Sequence, residues 1–255
     1  MLPIVILIIL KGGILPFVCL LALISIIGTA EFYRMALPER KQERWLAAFA
    51  GTALIFVPLT RNDTLAIPTL GLLFVGFSLL FLFRLRSIDS AAREAALALL
   101  AFMYIPFLLM HLVLLRLTPY GIQWLFVTML IVMTNDSAAY YTGCAFGKHR
   151  LYPLVSPKKS IEGAIGGLFG SLGGTLLAKF TFFPQLSFVD AVATALVIGV
   201  VGQAGDLFES LLKRSFGVKD SGTIIPGHGG VLDRLDSILF AAPITYYYVL
   251  FFFKG

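Results

Sequence analysis

The sequence predicts an all-α fold, a polytopic integral membrane helical bundle of eight or nine transmembrane helices, on three observations. Apolar residues make up 58% of the chain and charged residues only 13%, with a mean hydropathy of +0.91, more apolar surface than a water-soluble core of 255 residues can hide. Those apolar residues are gathered into segments, most of them near the ~20 residues a helix needs to cross a bilayer. Basic residues fall in alternate connections: four between Arg34 and Arg44, three between Arg84 and Arg93, four between Lys148 and Lys159, and four between Lys213 and Arg234. The intervening connections carry only Arg61, Arg116 and Lys179. The positive-inside rule then puts the four basic loops in the cytoplasm. The net charge of +6 is first an orientation signal and second a means of binding anionic ligands, and its placement does not point to nucleic acid.

In order, the apolar segments run Leu2 to Leu10, Ile14 to Ala30, Trp45 to Leu59, Leu65 to Phe83, Ala95 to Leu115, Ile122 to Gly147, Ile161 to Phe180, Phe188 to Leu212 and Ser237 to Phe253. The first is too short to cross alone and is a ninth helix, a half-span or an interfacial piece. It has no basic n-region and another apolar run follows directly, so it does not read as a cleaved signal. Trp45 to Leu59 needs help from its flanks to span. Cys19 and Cys144 lie inside apolar segments and imply no disulfide framework. Residues 1–120 read as membrane scaffold and residues 121–255 as the catalytic region. In the scaffold, Pro16, Pro58, Pro68 and Pro106 read as kinks that membrane helices tolerate. Glu31 reads as a solvated interfacial acid at a helix end, and His111 as a satisfied interfacial histidine.

The second half carries the chemistry. Thr134-Asn135-Asp136-Ser137 puts four polar side chains in succession inside an apolar segment. An ionised carboxylate at that depth costs at least ~2.5 kcal/mol, so Asp136 implies a water-filled cavity, a cation or a ligand. Asn135 and Ser137 can instead join helices. In SPKKS, Ser160 can cap the helix that follows, with Glu162 in its first turn, which leaves Lys158 and Lys159 at a helix N-terminus. That is an anion site, or simply a pair of topogenic lysines. Gly163, Gly166, Gly167, Gly170 and Gly174 have the small-xxx-small spacing of close helix packing. Asp206, Glu209 and Lys213 share one face of a helix, where an intrahelical ion pair is the plain alternative to a site.

The densest stretch is Ser210 to Asp236, SLLKRSFGVKDSGTIIPGHGGVLDRLD, with four basic residues, three carboxylates, one His and five Gly. Lys213, Arg214 and Lys219 supply cations, the PGHGG turn with Gly229 and Gly230 supplies unhindered backbone N–H groups, and Asp233 and Asp236 are expected to open the next helix one turn apart. With Asp206 at the same depth, three carboxylates from two adjacent helices converge at one cytoplasmic mouth. Cations, bare amides and carboxylates together describe a site for a polyphosphate with a hard divalent ion such as Mg²⁺; no Cys/His set for zinc exists.

This stretch resembles the diagnostic motif of the phosphatidate cytidylyltransferases, also called CDP-diacylglycerol synthases, at Ser210, Lys213, Arg214, Lys219, Asp220, Gly222, Pro226, His228, Gly229, Gly230, Asp233, Arg234 and Asp236. The segments around Asp136 and Lys158 are similar to the family's too, so the resemblance covers roughly residues 135–237. It implies an enzyme of the cytoplasmic (inner) membrane that joins CTP and phosphatidic acid into CDP-diacylglycerol, with Mg²⁺, as a homodimer. Metal ligands would be Asp206 and Asp233, with Asp236 a weaker ligand or one for a second cation. Lys158, Lys159, Ser160, Lys213, Arg214, Lys219, His228 and Arg234 would hold substrate phosphates. The rival readings are a CTP-dependent polyprenol or dolichol-type lipid kinase and an ion-coupled membrane transporter. The complete motif disfavours the first, and polar clusters confined to one half and one face disfavour the second.

Overall fold

A computed structural model describes residues 2–61, 63–84, 86–224 and 229–255. The protein is an all-α polytopic membrane protein with one small hairpin: α1 (Leu2–Lys11), α2 (Ile14–Ala36), α3 (Lys41–Phe56), α4 (Ala66–Phe83), α5 (Ile88–Leu117), α6 (Gly121–Phe146), β1 (Arg150–Tyr152), β2 (Ser156–Ser160), α7 (Ile161–Thr181), α8 (Phe188–Ser215) and α9 (Asp236–Phe251). Among the described residues six helices, α2 and α4 to α8, are long and apolar enough to cross a bilayer. The count of eight or nine also includes α3 and α9, of 16 residues each, and α1, of 10, which fall short of the ~20 of a straight crossing.

The prolines differ from their expected role. Pro16 and Pro68 sit in the first turns of α2 and α4, where a missing N–H costs nothing, and Pro58 starts a 3₁₀ turn after α3. Of the four, only Pro106 lies in a helix interior. There α5 widens into a π-helical turn, Met103–Phe107, which accommodates the ring and the absent donor.

The chain divides into two compact units, Met1–Val113 with Asp220–Asp233, and Leu114–Lys219 with Arg234–Gly255. In the first unit, Phe32, Tyr33, Leu54, Ile55, Phe81 and Ile105 form part of the buried core. Its most buried cation is Arg40, which donates from Nε to Glu94 Oε2 at 2.8 Å and from NH1 to Glu43 Oε1 at 3.2 Å and the Arg84 carbonyl at 2.8 Å. The α2–α3 connection is thereby fastened to the α4–α5 connection. His111 is buried, its Nδ1 2.9 Å from the Phe107 carbonyl, so it is satisfied.

In the second unit, α6 and α7 approach closely because the glycine face is bare. A Cβ on Gly166, Gly170 or Gly174 would come within 2.1, 2.5 and 2.6 Å of Thr142 Oγ1, Thr134 O and Thr134 Oγ1. At one end, Trp124 packs on Phe183 and Phe253, with ring centroids 5.2 and 5.0 Å apart. There α8 starts with a capping box, Ser187 with Asp190, and Tyr248 OH of α9 donates to Asp190 Oδ1 at 2.6 Å.

The basic connection expected between α6 and α7 as a loop is an antiparallel hairpin, Arg150 opposite Ser160 and Tyr152 opposite Ser156. Its sequence, with Pro157 and two lysines, has little strand propensity. The pairing is held from its base. The Glu162 carboxylate accepts from Lys148 N at 3.1 Å and His149 N at 3.2 Å and pairs with His149 Nδ1 at 2.6 Å, while Ile161 N donates to His149 O at 2.9 Å.

Candidate active site

The residues singled out in the sequence fall into one set in each unit. In the second unit, Asp136 stands on α6 beside the buried Asn135, which is 2% exposed. Asn135 Nδ2 donates to Ser171 Oγ at 2.8 Å and the Gly199 carbonyl at 3.3 Å, its Oδ1 accepts from Gln203 Nε2 at 2.9 Å, and Gln203 also donates to the Ala164 carbonyl at 2.9 Å. This tie joins α6, α7 and α8 and fixes the height of Asp136. Ser137 takes no part in it; it is exposed and donates to the Met133 carbonyl of its own helix at 2.8 Å.

Asp206 of α8 forms an ion pair with Lys159 of β2 and accepts from Ser210 Oγ at 3.5 Å. Lys213 pairs with Glu209 at 3.1 Å, its fully buried i,i+4 neighbour, which is the intrahelical ion pair that the sequence offered as the plain alternative. The carboxylates of Asp136 and Asp236 both feel the charge of Asp206, and Lys159 and Lys213 act on Asp136 and Asp236 respectively. Three carboxylates and two ammonium groups therefore form one electrostatic group in this unit.

In the same unit, Lys158, Arg214, Lys219 and Arg234 are exposed. Ser160 is the N-cap of α7, its Oγ accepting from Gly163 N at 3.0 Å, as the sequence predicts. Lys158 and Lys159 lie on β2, just ahead of that helix start. α8 ends in a Schellman turn, with Gly217 at φ +71°, Gly217 N on the Arg214 carbonyl at 3.1 Å and Val218 N on that of Lys213 at 2.9 Å. The turn sets where Lys213 and Arg214 leave the helix.

In the first unit, the described residues of Asp220–Asp233 make contacts with two carboxylates, Asp233 and Glu31. Asp233 does not open the following helix; it sits in a single 3₁₀ turn, Leu232–Arg234, and α9 starts at Asp236. Its Oδ2 accepts from Ser221 N at 2.9 Å, Ser221 Oγ at 2.9 Å and Gly230 N at 2.8 Å. The Gly230 amide, expected to be bare, is thus committed to Asp233. Gly229 adopts φ +82°, and a Cβ there would lie 2.5 Å from Asp233 Oδ2, so glycine is required twice over. His228, like Pro226, lies outside the described residues.

Glu31 is the residue that sequence reasoning missed. It is 3% exposed, not solvated, and accepts from Val231 N at 3.0 Å, Leu232 N at 2.9 Å and Ser221 Oγ at 3.3 Å. Apolar residues resume after it at Phe32, Tyr33 and Met35, which places Glu31 inside α2 and not at its end but does not tell which way it faces.

The donor chemistry suits a hard divalent cation, because Asp136, Asp206 and Asp236 offer only carboxylate oxygens and lie within electrostatic reach of one another. Among the described residues no three ligating side chains are already drawn around one point. The fit is one of donor type, with the lysine partner of Asp206 occupying its carboxylate.

A model of the cytidylyltransferase family matches residues 1–252. The chain is 34% identical over 240 residues to the phosphatidate cytidylyltransferase of Staphylococcus haemolyticus (strain JCSC1435), covering 93% of this chain and 90% of that one. It is 42% identical over 139 residues to that of Bacillus subtilis (strain 168), covering 54% of this chain and 51% of the relative. With that of Staphylococcus aureus (strain COL) it shares 46% over 124 residues, 49% and 48% of the two chains. Against these last two the match spans about half the length of the relative.

Proposed function

The chain belongs to the cytidylyltransferase family, and from that premise we propose that it transfers the cytidylyl group of CTP to phosphatidic acid, giving CDP-diacylglycerol and pyrophosphate. The observation that carries this reading is the likeness to a relative named phosphatidate cytidylyltransferase across 93% of the chain. The group of carboxylates and lysines around Asp206 is the chemistry such a reaction needs. The protein works in the cytoplasmic membrane with eight crossings, α2 to α9, as a homodimer, and the basic connections at Arg34 to Arg44, Arg84 to Arg93, Lys148 to Ser160 and Lys213 to Asp236 face the cytoplasm.

A phosphatidate oxygen is already an anion at neutral pH, so it needs little help from a base. The obstacle is its approach to a triphosphate that is also negative. A direct in-line displacement follows: the phosphatidate oxygen bonds to the α-phosphorus of CTP as the bond from that phosphorus to the oxygen bridging to the β-phosphate breaks, and pyrophosphate leaves with the electron pair. Lys159 exchanges its carboxylate partner for a phosphate oxygen, and Lys158, Lys213, Arg214, Lys219 and Arg234 screen the remaining phosphate charge, with His228 assigned to the same task by the motif. The Asp206 and Asp236 carboxylates are the proposed holders of Mg²⁺ in the second unit; Asp233 is the further carboxylate that the resemblance assigns to a cation. When bound, the cation neutralises phosphate charge. No side chain forms a covalent intermediate.

The test is consumption of CTP by purified protein with and without phosphatidic acid. Consumption only when phosphatidic acid is present is the expected result, and consumption independent of the lipid overturns the reading.

A further inference from the structure

Glu31 belongs to the half of the chain that carries none of the motif, yet its carboxylate is the other anchor of the motif's last segment. Two consecutive backbone amides, Val231 N and Leu232 N, end on its two oxygens, and Ser221 Oγ donates to one of them. Ser221 also gives its N–H and hydroxyl to Asp233, so it stands between the two acids. Two glycines of the segment lie against this carboxylate, Gly230 also against Ser221 Oγ. A Cβ on Gly222 would meet Glu31 Oε1 at 2.5 Å, and one on Gly230 would lie 2.6 Å from both Glu31 oxygens. A buried carboxylate is expensive unless donors surround it, and here the donors come from the segment it holds. Removing it would leave two successive buried amides without acceptors.

We propose that Glu31 is a positioning residue: it fixes the backbone at 230–232, and through Ser221 the orientation of Asp233, while touching no substrate itself. The proposal deepens the cytidylyl-transfer reading and rests on it only for its kinetic consequence. Its structural content is independent of which reaction is catalysed.

The experiment uses the full-length protein in detergent, with amide hydrogen exchange at single-residue resolution beside kinetics with CTP and phosphatidic acid. In Glu31→Gln one of the two acceptor oxygens becomes an NH₂ donor, so the Val231 or Leu232 amide should exchange about tenfold faster, the equivalent of one lost hydrogen bond, with α6 to α8 unchanged. Turnover should fall by about a hundredfold through kcat, as for a site displaced by about an ångström. Gly222→Ala should cause a similar loss alone and little further loss when combined with Glu31→Ala, which vacates the space the new methyl needs. Unchanged exchange at 231 and 232, additive losses in the double variant, or exchange accelerated throughout the chain would each overturn the proposal, the last by making Glu31 a general structural residue. Wild-type protein that does not join CTP to phosphatidic acid, together with the localised exchange change, would remove the functional reading and leave the positioning role standing.

Discussion

Asp206 and Asp233, both metal ligands by the family resemblance, are held by different chemistry. Asp206, in the second unit, pairs with the Lys159 ammonium, a mobile point charge on a flexible stem. Asp233, in the first, receives two backbone N–H groups and a hydroxyl on one oxygen, all from residues within its own segment. A lysine can exchange its partner for a phosphate without disturbing the fold. Backbone donors cannot move without moving the chain. The second-unit ion pair can therefore change partners without moving the backbone, whereas the first-unit contacts cannot.

That contrast predicts graded consequences. Removing the charge at Asp206 should be the most damaging change: Asp206→Asn should lower turnover about a hundredfold to a thousandfold while the protein stays folded in detergent, with Mg²⁺ dependence blunted. Full activity in that variant, measured as CDP-diacylglycerol formed, would remove Asp206 from the chemistry. Asp233→Asn should lower turnover about a hundredfold and, unlike Asp206→Asn, accelerate amide exchange at Ser221 and Gly230. If exchange stays unchanged, the two carboxylates are not held differently and the comparison fails. Replacing Lys158 and Lys159 together by Ala should raise the KM for CTP about tenfold with normal membrane insertion; unchanged kinetics would return them to the role of topogenic charges. Smallest of all, Asn135→Leu should cost about 1–2 kcal/mol of stability by cutting the tie between α6, α7 and α8, with kcat changed only a few-fold. A large loss of kcat at full stability would mean that Asn135 does more than hold helices together.

What could be read from the sequence follows from range. Ser160 as a helix cap and the glycine face of α7 depend on residues within a few turns, and both appear as expected. The apolar segments were legible for the same reason, except that helices outrun them where the first turn is charged, as α3 does at Lys41 and Glu43. The hairpin was not legible, because its strands are weak and its pairing is imposed by Glu162 reaching back to the end of α6. Glu31 was the hardest case. Its partners lie 190 to 201 residues away along the chain, and no local pattern distinguishes an acid that faces water from one that accepts distant amides. Lys213 shares a helix face with both Asp206 and Glu209, and it pairs with Glu209, the one four residues away.

The most direct measurement is the fate of a labelled phosphate. Purified protein in liposomes containing phosphatidic acid is given CTP labelled at the α-phosphorus in one reaction and at the γ-phosphorus in another. Cytidylyl transfer puts the α label into lipid as CDP-diacylglycerol and the γ label into pyrophosphate, and the Asp206→Asn protein should do neither at a comparable rate. Appearance of the γ label in lipid, or of neither label with wild-type protein, would contradict the account.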